Sequence, residues 1–132
     1  MPPHKHVVFI CFENANRSQM AEAFARLLGG GRVAAFSAGV RPSSDLKPAA
    51  VKVMAEVGYD LTTHSPKGLS DVPQVRWDVV VTMGCGDSCP NLDSEAVVNW
   101  EIPSAKSPEE LRAVRDVIRD KVQELLGRLV EA

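Results

Sequence analysis

Two short apolar runs, VVFIC at 7–11 and DVVVT at 78–82, constrain the fold more than any other feature of the chain. Neither alternates polar with apolar residues, so each reads as a strand buried on both faces. Such strands belong to a parallel sheet sandwiched between helices. The intervening segments supply those helices. Met20, Ala21, Phe24, Leu27 and Leu28 recur at helical spacing over Arg17 to Leu28, and three glycines at 29–31 stop the run. Val33 to Ser37 reads as a second strand and Leu46 to Val57 as a second helix, with a turn and a short helix expected over 59–76. Ala96 to Trp100 reads as a fourth strand. Ser107, followed by Pro and two glutamates, caps a last helix whose stripe is Leu111, Val114, Ile118, Val122, Leu125 and Leu129. Strands alternating with helices give an α/β fold: three layers (αβα) around a four-stranded parallel sheet, in one domain spanning 1–132.

Composition narrows the function. A net charge of −2 offers no basic field for nucleic acid. No apolar run approaches the ~18 residues of a membrane span. The N-terminus has no small-residue cleavage site, which favours the cytoplasm. Three cysteines are too few for a disulfide scaffold, so they read as catalytic, redox-active or metal-binding. His4 and His6 fall at an N-terminus expected to fray, Trp77 and Trp100 flank strands at the edge of the core, and no apolar stripe is left over for an oligomer, so a monomer is expected.

Ligands of parallel sheets bind at the carboxyl ends of strands, where Cys11, Ser37, Thr82 and Trp100 fall. Cys11 closes the first strand and Arg17-Ser18 opens the next helix. The loop between them, Phe12, Glu13, Asn14, Ala15 and Asn16, can wrap with its N–H groups inward, an anion nest reinforced by the helix N-terminus. Asn14 tolerates the left-handed backbone such a turn needs. Arg17 adds a bidentate clamp for a tetrahedral oxyanion, and Ser18 can donate to the sulfur. The reading is a nucleophilic thiolate in an oxyanion cradle. The plain alternative is a buried cysteine beside an incidental helix cap.

Past the third strand, VTMGCGDSCP carries Cys85 and Cys89. In the strand order 2-1-3-4 the third strand adjoins the first, and all three thiols share one rim. They suit a relay in which Cys11 attacks the oxyanion, Cys85 attacks Cys11 and Cys89 attacks Cys85, provided the backbone lets the last two meet. Structural cysteines or a zinc site are the alternatives. Zinc fits less well, because the spacing is C-x3-C and a fourth ligand would come from distant His64 or a carboxylate.

The segment CFENANRSQMAEAF resembles the C-x5-R-S loop and helix of the low-molecular-weight protein tyrosine phosphatases. With SAGVRP, AVKVMAEVGYDLTTHSPK and VTMGCGDSCP it resembles the arsenate reductases of the thioredoxin-coupled type built on that fold. The resemblance implies reduction of arsenate to arsenite without a cofactor or resident metal. It makes Cys11 the nucleophile, Asn14, Arg17 and Ser18 the oxyanion site, and Cys85 and Cys89 the relay thiols. Thioredoxin, or a low-molecular-weight thiol with glutaredoxin, would restore them. Two departures matter. Where many relatives carry a general-acid Asp-Pro, this chain has Ser104-Ala105, leaving Glu101 as the nearest candidate acid and Asp87 as another near the rim. Where several relatives carry an acid that helps hold potassium, this chain has Lys67, whose ammonium can replace that ion beside Asn14 and Glu22, so no potassium requirement is expected. A phosphatase is the second reading; it gives Cys85 and Cys89 no task and expects aromatic walls, whereas the only tyrosine is Tyr59. A non-catalytic oxyanion-binding module is the third.

Overall fold

A computed structural model describes residues 5–85 and 89–131. Strands β1 (Lys5–Cys11), β2 (Val33–Gly39), β3 (Val79–Thr82) and β4 (Val97–Asn99) form one parallel sheet in the order β2-β1-β3-β4. Helices α1 (Arg17–Gly29), α2 (Pro48–Ala55) and α3 (Pro108–Glu131) follow β1, β2 and β4.

The two-residue period of β1 divides the core. Val7, Phe9 and Cys11 face one way and pack with Met20 and Phe24 of α1, Val53 and Met54 of α2, and Ile118 and Val122 of α3. Phe9, Phe24 and Ile118 are fully buried, each burial contributing about 1.5–3 kcal/mol. Val8 and Ile10 face the other way, against Ala38, Val72, Trp77, Val80 and Cys85. No α-helix supplies residues to this second cluster among those described; the third layer is irregular chain with a 3-10 turn at Leu69–Asp71.

Several details differ from the sequence expectation. Helix α2 starts at Pro48 because proline, with no N–H to lose, takes the first helical position. Over 59–76 the expected short helix is two 3-10 turns, Leu61–Thr63 and Leu69–Asp71. Strand β2 runs on to Gly39, which pairs with Cys11. His6 lies within β1, half-buried and edge-on to Trp77 rather than frayed, and its N–H donates to Asp78 at 2.7 Å. His4 lies outside the described residues. Among those residues no helix is long and apolar enough to cross a membrane.

The start of α3 fixes the loop that walls the cleft described below. Ser107 Oγ accepts the Glu110 N–H at 3.1 Å, and Glu110 Oε2 accepts the Lys106 N–H at 2.6 Å. Helices α2 and α3 are joined by Glu56, which receives Arg112 Nε and Nη2 at 2.9–3.1 Å and Arg115 Nη1 at 2.9 Å. The Arg112 hydrogen bonds, then those of Arg115, hold the Glu56 carboxyl at about 2. A carboxyl lowered in the folded state stabilises above its unfolded pKa, and that stabilisation is lost as pH falls through the folded value. Glu56→Gln should therefore lower the thermal midpoint at pH 7, with the gap from wild type shrinking below about pH 4.5 and closing near pH 2. A pH-independent gap in calorimetry would refute this role for Glu56.

Candidate active site

The loop 12–16 is shaped by the fate of its carbonyls. Four main-chain N–H groups of the next segment take four of them: Val40 to Cys11 O at 3.1 Å, Arg41 to Phe12 O at 2.8 Å, Ser43 to Glu13 O at 2.9 Å and Lys47 to Ala15 O at 2.9 Å. Gln19 Nε2 takes Asn14 O and the Met20 N–H takes Asn16 O, each at 3.0 Å. Every carbonyl from 11 to 16 is thus engaged, and the free polar groups of the loop backbone are N–H donors. That is an anion nest.

The floor of the nest is Cys11. Its sulfur accepts the Asn14 N–H at 3.0 Å and lies 2.7 Å from Ser18 Oγ. Ser18 Oγ already accepts Asn14 Nδ2 at 2.9 Å, which leaves its own proton free for the sulfur. The Asn14 N–H and the Ser18 hydroxyl thus both lie within hydrogen-bonding distance of Sγ. Asn14 reaches it with φ +55°, the left-handed turn anticipated for asparagine. Asn16 caps α1 without a side-chain cap bond, and its Oδ1 is buried with no partner.

Sequence reasoning missed the support behind Asn14. Buried Gln19 donates from Nε2 to Asn14 O, Asn14 Oδ1 and Ser65 O at 2.9–3.0 Å, so its Oε1 must accept from His64 Nδ1 at 2.8 Å. This makes His64 the Nδ1–H tautomer, with Nε2 free to accept Tyr59 O–H at 2.6 Å. Desolvation lowers the His64 pKa, which favours that neutral form. The polar residues at 14, 18 and 19 opening an otherwise apolar helix face were the available signal. Lys67 also belongs here. Its N–H donates to Asn14 Oδ1 at 2.8 Å, and its Nζ stands 3.2 Å from Ser65 O and 3.5 Å from buried Glu22, which also accepts Ser37 Oγ and pairs with Arg26. A side-chain ammonium thus stands beside the buried Glu22 carboxylate and the Ser65 carbonyl.

Above the sulfur lies a cleft of about 160 Å³. Phe12, Glu13, Ala15, Asn16 and Arg17 of the loop and the start of α1 line it together with Lys47 and with Ser104, Ala105, Leu111 and Val114. Arg17 Nη1 donates to Ile102 O at 2.6 Å, and the guanidinium lies against the bare α-carbon of Gly84. Its remaining N–H groups stay available to an anion. Glu101 is exposed and lines a neighbouring groove with Gly84, Asn99 and Trp100, not this cleft. The wall carries Ser104 and Ala105 where a general acid was sought, and Asp87 lies outside the described residues.

Cys85 and Cys89 are joined by a disulfide with Cα atoms 5.0 Å apart, while Cys11 is free. All three sit on the carboxyl rim of the sheet, but Cys11 packs in the helical core and Cys85 in the cluster on the opposite face. No group of three or more metal-ligating side chains occurs among the described residues.

The chain matches the family model described as low molecular weight phosphotyrosine protein phosphatase over residues 6–132. It is 35% identical to the glutaredoxin arsenate reductase of Synechocystis, covering 95% of this chain and 98% of that protein. It is 34% identical to arsenate reductase 1 of Staphylococcus epidermidis, covering 95% and 98%. Among solved structures, an arsenate reductase in the phosphate-binding state superposes with a TM-score of 0.83 at 32% identity, covering 94% and 98%. A thioredoxin-dependent arsenate reductase of Corynebacterium glutamicum gives 0.79 at 31% identity, covering 96% of this chain and 62% of that one.

The cradle depends on one bare α-carbon. A Cβ on Gly39 would stand 2.8 Å from Phe12 O and 2.9 Å from the Glu13 carbonyl carbon, both backbone atoms that cannot swing aside. Gly39→Ala should keep the fold by circular dichroism yet weaken phosphate binding at least about tenfold, a loss of roughly 1.4 kcal/mol. Wild-type affinity in calorimetric titration would show that the loop does not depend on this contact.

Proposed function

The chain belongs to the low-molecular-weight phosphotyrosine protein phosphatase family, and on that premise we infer that it is an arsenate reductase working by a three-thiol relay. One observation carries the reading: a free Cys11 seated in an anion nest shares a sheet rim with a Cys85–Cys89 disulfide. A phosphatase would leave that pair without a role. It would also need a proton donor for the leaving oxygen, and the cleft wall offers Ser104 and Ala105.

Arsenate binds with its oxygens on the loop N–H groups other than that of Asn14, which is held by the sulfur, and on the Arg17 guanidinium. Cys11 thiolate attacks arsenic(V); the S–As bond forms as an As–OH bond breaks, and the departing hydroxide takes a proton from solvent and leaves as water, giving a Cys11–arsenic adduct. Cys85 thiolate then attacks Cys11 Sγ. The electron pair of the S–As bond stays with arsenic, which departs as arsenite(III), and a Cys11–Cys85 disulfide remains. Cys89 attacks Cys85, frees the Cys11 thiolate and leaves the Cys85–Cys89 disulfide described above. An external dithiol returns two electrons. Thioredoxin suits that disulfide directly; a low-molecular-weight thiol with glutaredoxin would act on the Cys11 adduct instead. No ester alkoxide has to leave: the departing oxygen is a hydroxide that solvent can protonate, so a side-chain general acid such as Glu101 is not required. We place the enzyme in the cytoplasm, where thiols are kept reduced, as a monomer of one domain.

Two variants test the relay. Cys11→Ser should abolish arsenate turnover. Cys89→Ser should stop after one turnover with thioredoxin and accumulate a Cys11–Cys85 disulfide, visible by peptide mass mapping. Multiple turnover by Cys89→Ser at the wild-type rate would refute the three-thiol order. Rapid aryl phosphate hydrolysis by wild type, without arsenate reduction, would favour the phosphatase.

A further inference from the structure

Lys47 sits where helix physics disfavours it. It is the N-cap of α2, a position that prefers Ser, Thr, Asp or Asn, and its side chain makes no cap bond. Its charge stands at the positive end of a helix whose first turn holds no acid to offset it. Both terms cost α2 stability, and no ion pair among the described residues compensates: Lys67 meets Glu22, whereas Lys47 is exposed and meets no carboxylate. A locally unfavourable residue at a cleft is the signature of a functional requirement.

The backbone explains what the requirement is. The Lys47 N–H donates to Ala15 O at 2.9 Å, so the root of the side chain is tied to the loop that cradles Cys11. Lys47 also lines the cleft over that sulfur. The other charged lining residues are Arg17 and Glu13, which cancel, and Ser104, Ala105, Leu111 and Val114 are uncharged. With the Cys11 thiolate counted, Lys47 brings the cleft lining to neutrality, and without it the lining would be net negative. Arg17 also commits Nη1 to Ile102 O.

We propose that Lys47 is a specificity-determining residue whose ammonium, on a side chain that lines the cleft and is rooted by its own N–H on the Ala15 carbonyl, selects tetrahedral oxyanions carrying two negative charges over those carrying one. The inference deepens the arsenate reading and rests on it for the identity of the substrate. It does not require turnover for its test, because inert anions report the same selectivity. Lys47 raises capture of the dianion without touching the bonds that form and break. Its effect falls on KM and leaves kcat alone.

The test compares wild type with Lys47→Asn and Lys47→Arg, using sulfate as the dianion and perchlorate as the monoanion in calorimetric titrations. Asn removes the charge and caps α2, so its thermal midpoint should rise by a few degrees. Its sulfate affinity should fall about fivefold and its perchlorate affinity only about twofold, because Coulomb energy scales with the charge of the anion. KM for arsenate should rise about fivefold at unchanged kcat by the same scaling. Lys47→Arg should keep wild-type selectivity. Equal losses of sulfate and perchlorate would point to packing and overturn the proposal, as would unchanged sulfate binding in Lys47→Asn. Absence of arsenate turnover in wild type would sink the reductase reading alone; the sulfate-to-perchlorate ratio would still decide the role of Lys47.

Discussion

Engagement of the carbonyls from 11 to 16 is the constraint on which the rest of the site depends. A loop of this length can present either oxygens or N–H groups to its hollow. Here residues 40–47 run alongside and draw four carbonyls outward, while Gln19 and the first turn of α1 take the other two. The hollow is left with donors, and the strand-end sulfur lies at its floor. Gly39 allows the close approach, since any Cβ there would collide with the backbone of Phe12 and Glu13. Buried Gln19 and His64 hold Asn14 in a left-handed turn that a less anchored chain would not keep.

The redox pair is arranged on a different principle. Cys11 belongs to the helical core and Cys85 to the opposite cluster, so the sheet separates the sulfurs that must exchange. Passage of Cys85 to Cys11 requires the chain beyond β3 to turn over the end of that strand. Gly84, at φ +94° and against Arg17, is the joint beside which that turn begins. The oxyanion clamp and the start of the redox segment are therefore in contact.

Much of this was legible in the residues, for reasons that are local. Runs such as VVFIC and DVVVT read as buried parallel strands, and the structure pairs them side by side in the order β2-β1-β3-β4. The loop from Cys11 to Ser18 was legible because Asn, Arg and Ser each have few reasons to stand at a strand end together. What escaped was set by tertiary contact. Gln19 and His64 meet across 45 residues of sequence, and no periodicity announces a buried amide. The segment 59–76 carries turn residues and apolar ones in nearly equal measure, and packing resolves it into 3-10 turns instead of a helix. Glu101 was chosen by proximity in sequence, and the chain after β4 turns it into a separate groove. Parity along β3 would have put Cys85 with Val79, Val81 and Met83 on the face of Cys11; the turn at Gly84, φ +94°, carries it to the other cluster, and no sequence period reveals that turn.

The measurement that addresses the relay most directly is a free-thiol count. Fully reduced protein would receive one equivalent of arsenate without any external reductant, then be alkylated and weighed. The account predicts loss of two of three thiols, with peptide mapping placing the new disulfide at Cys85–Cys89 and Cys11 alkylated. Three free thiols in folded protein that binds arsenate would contradict it.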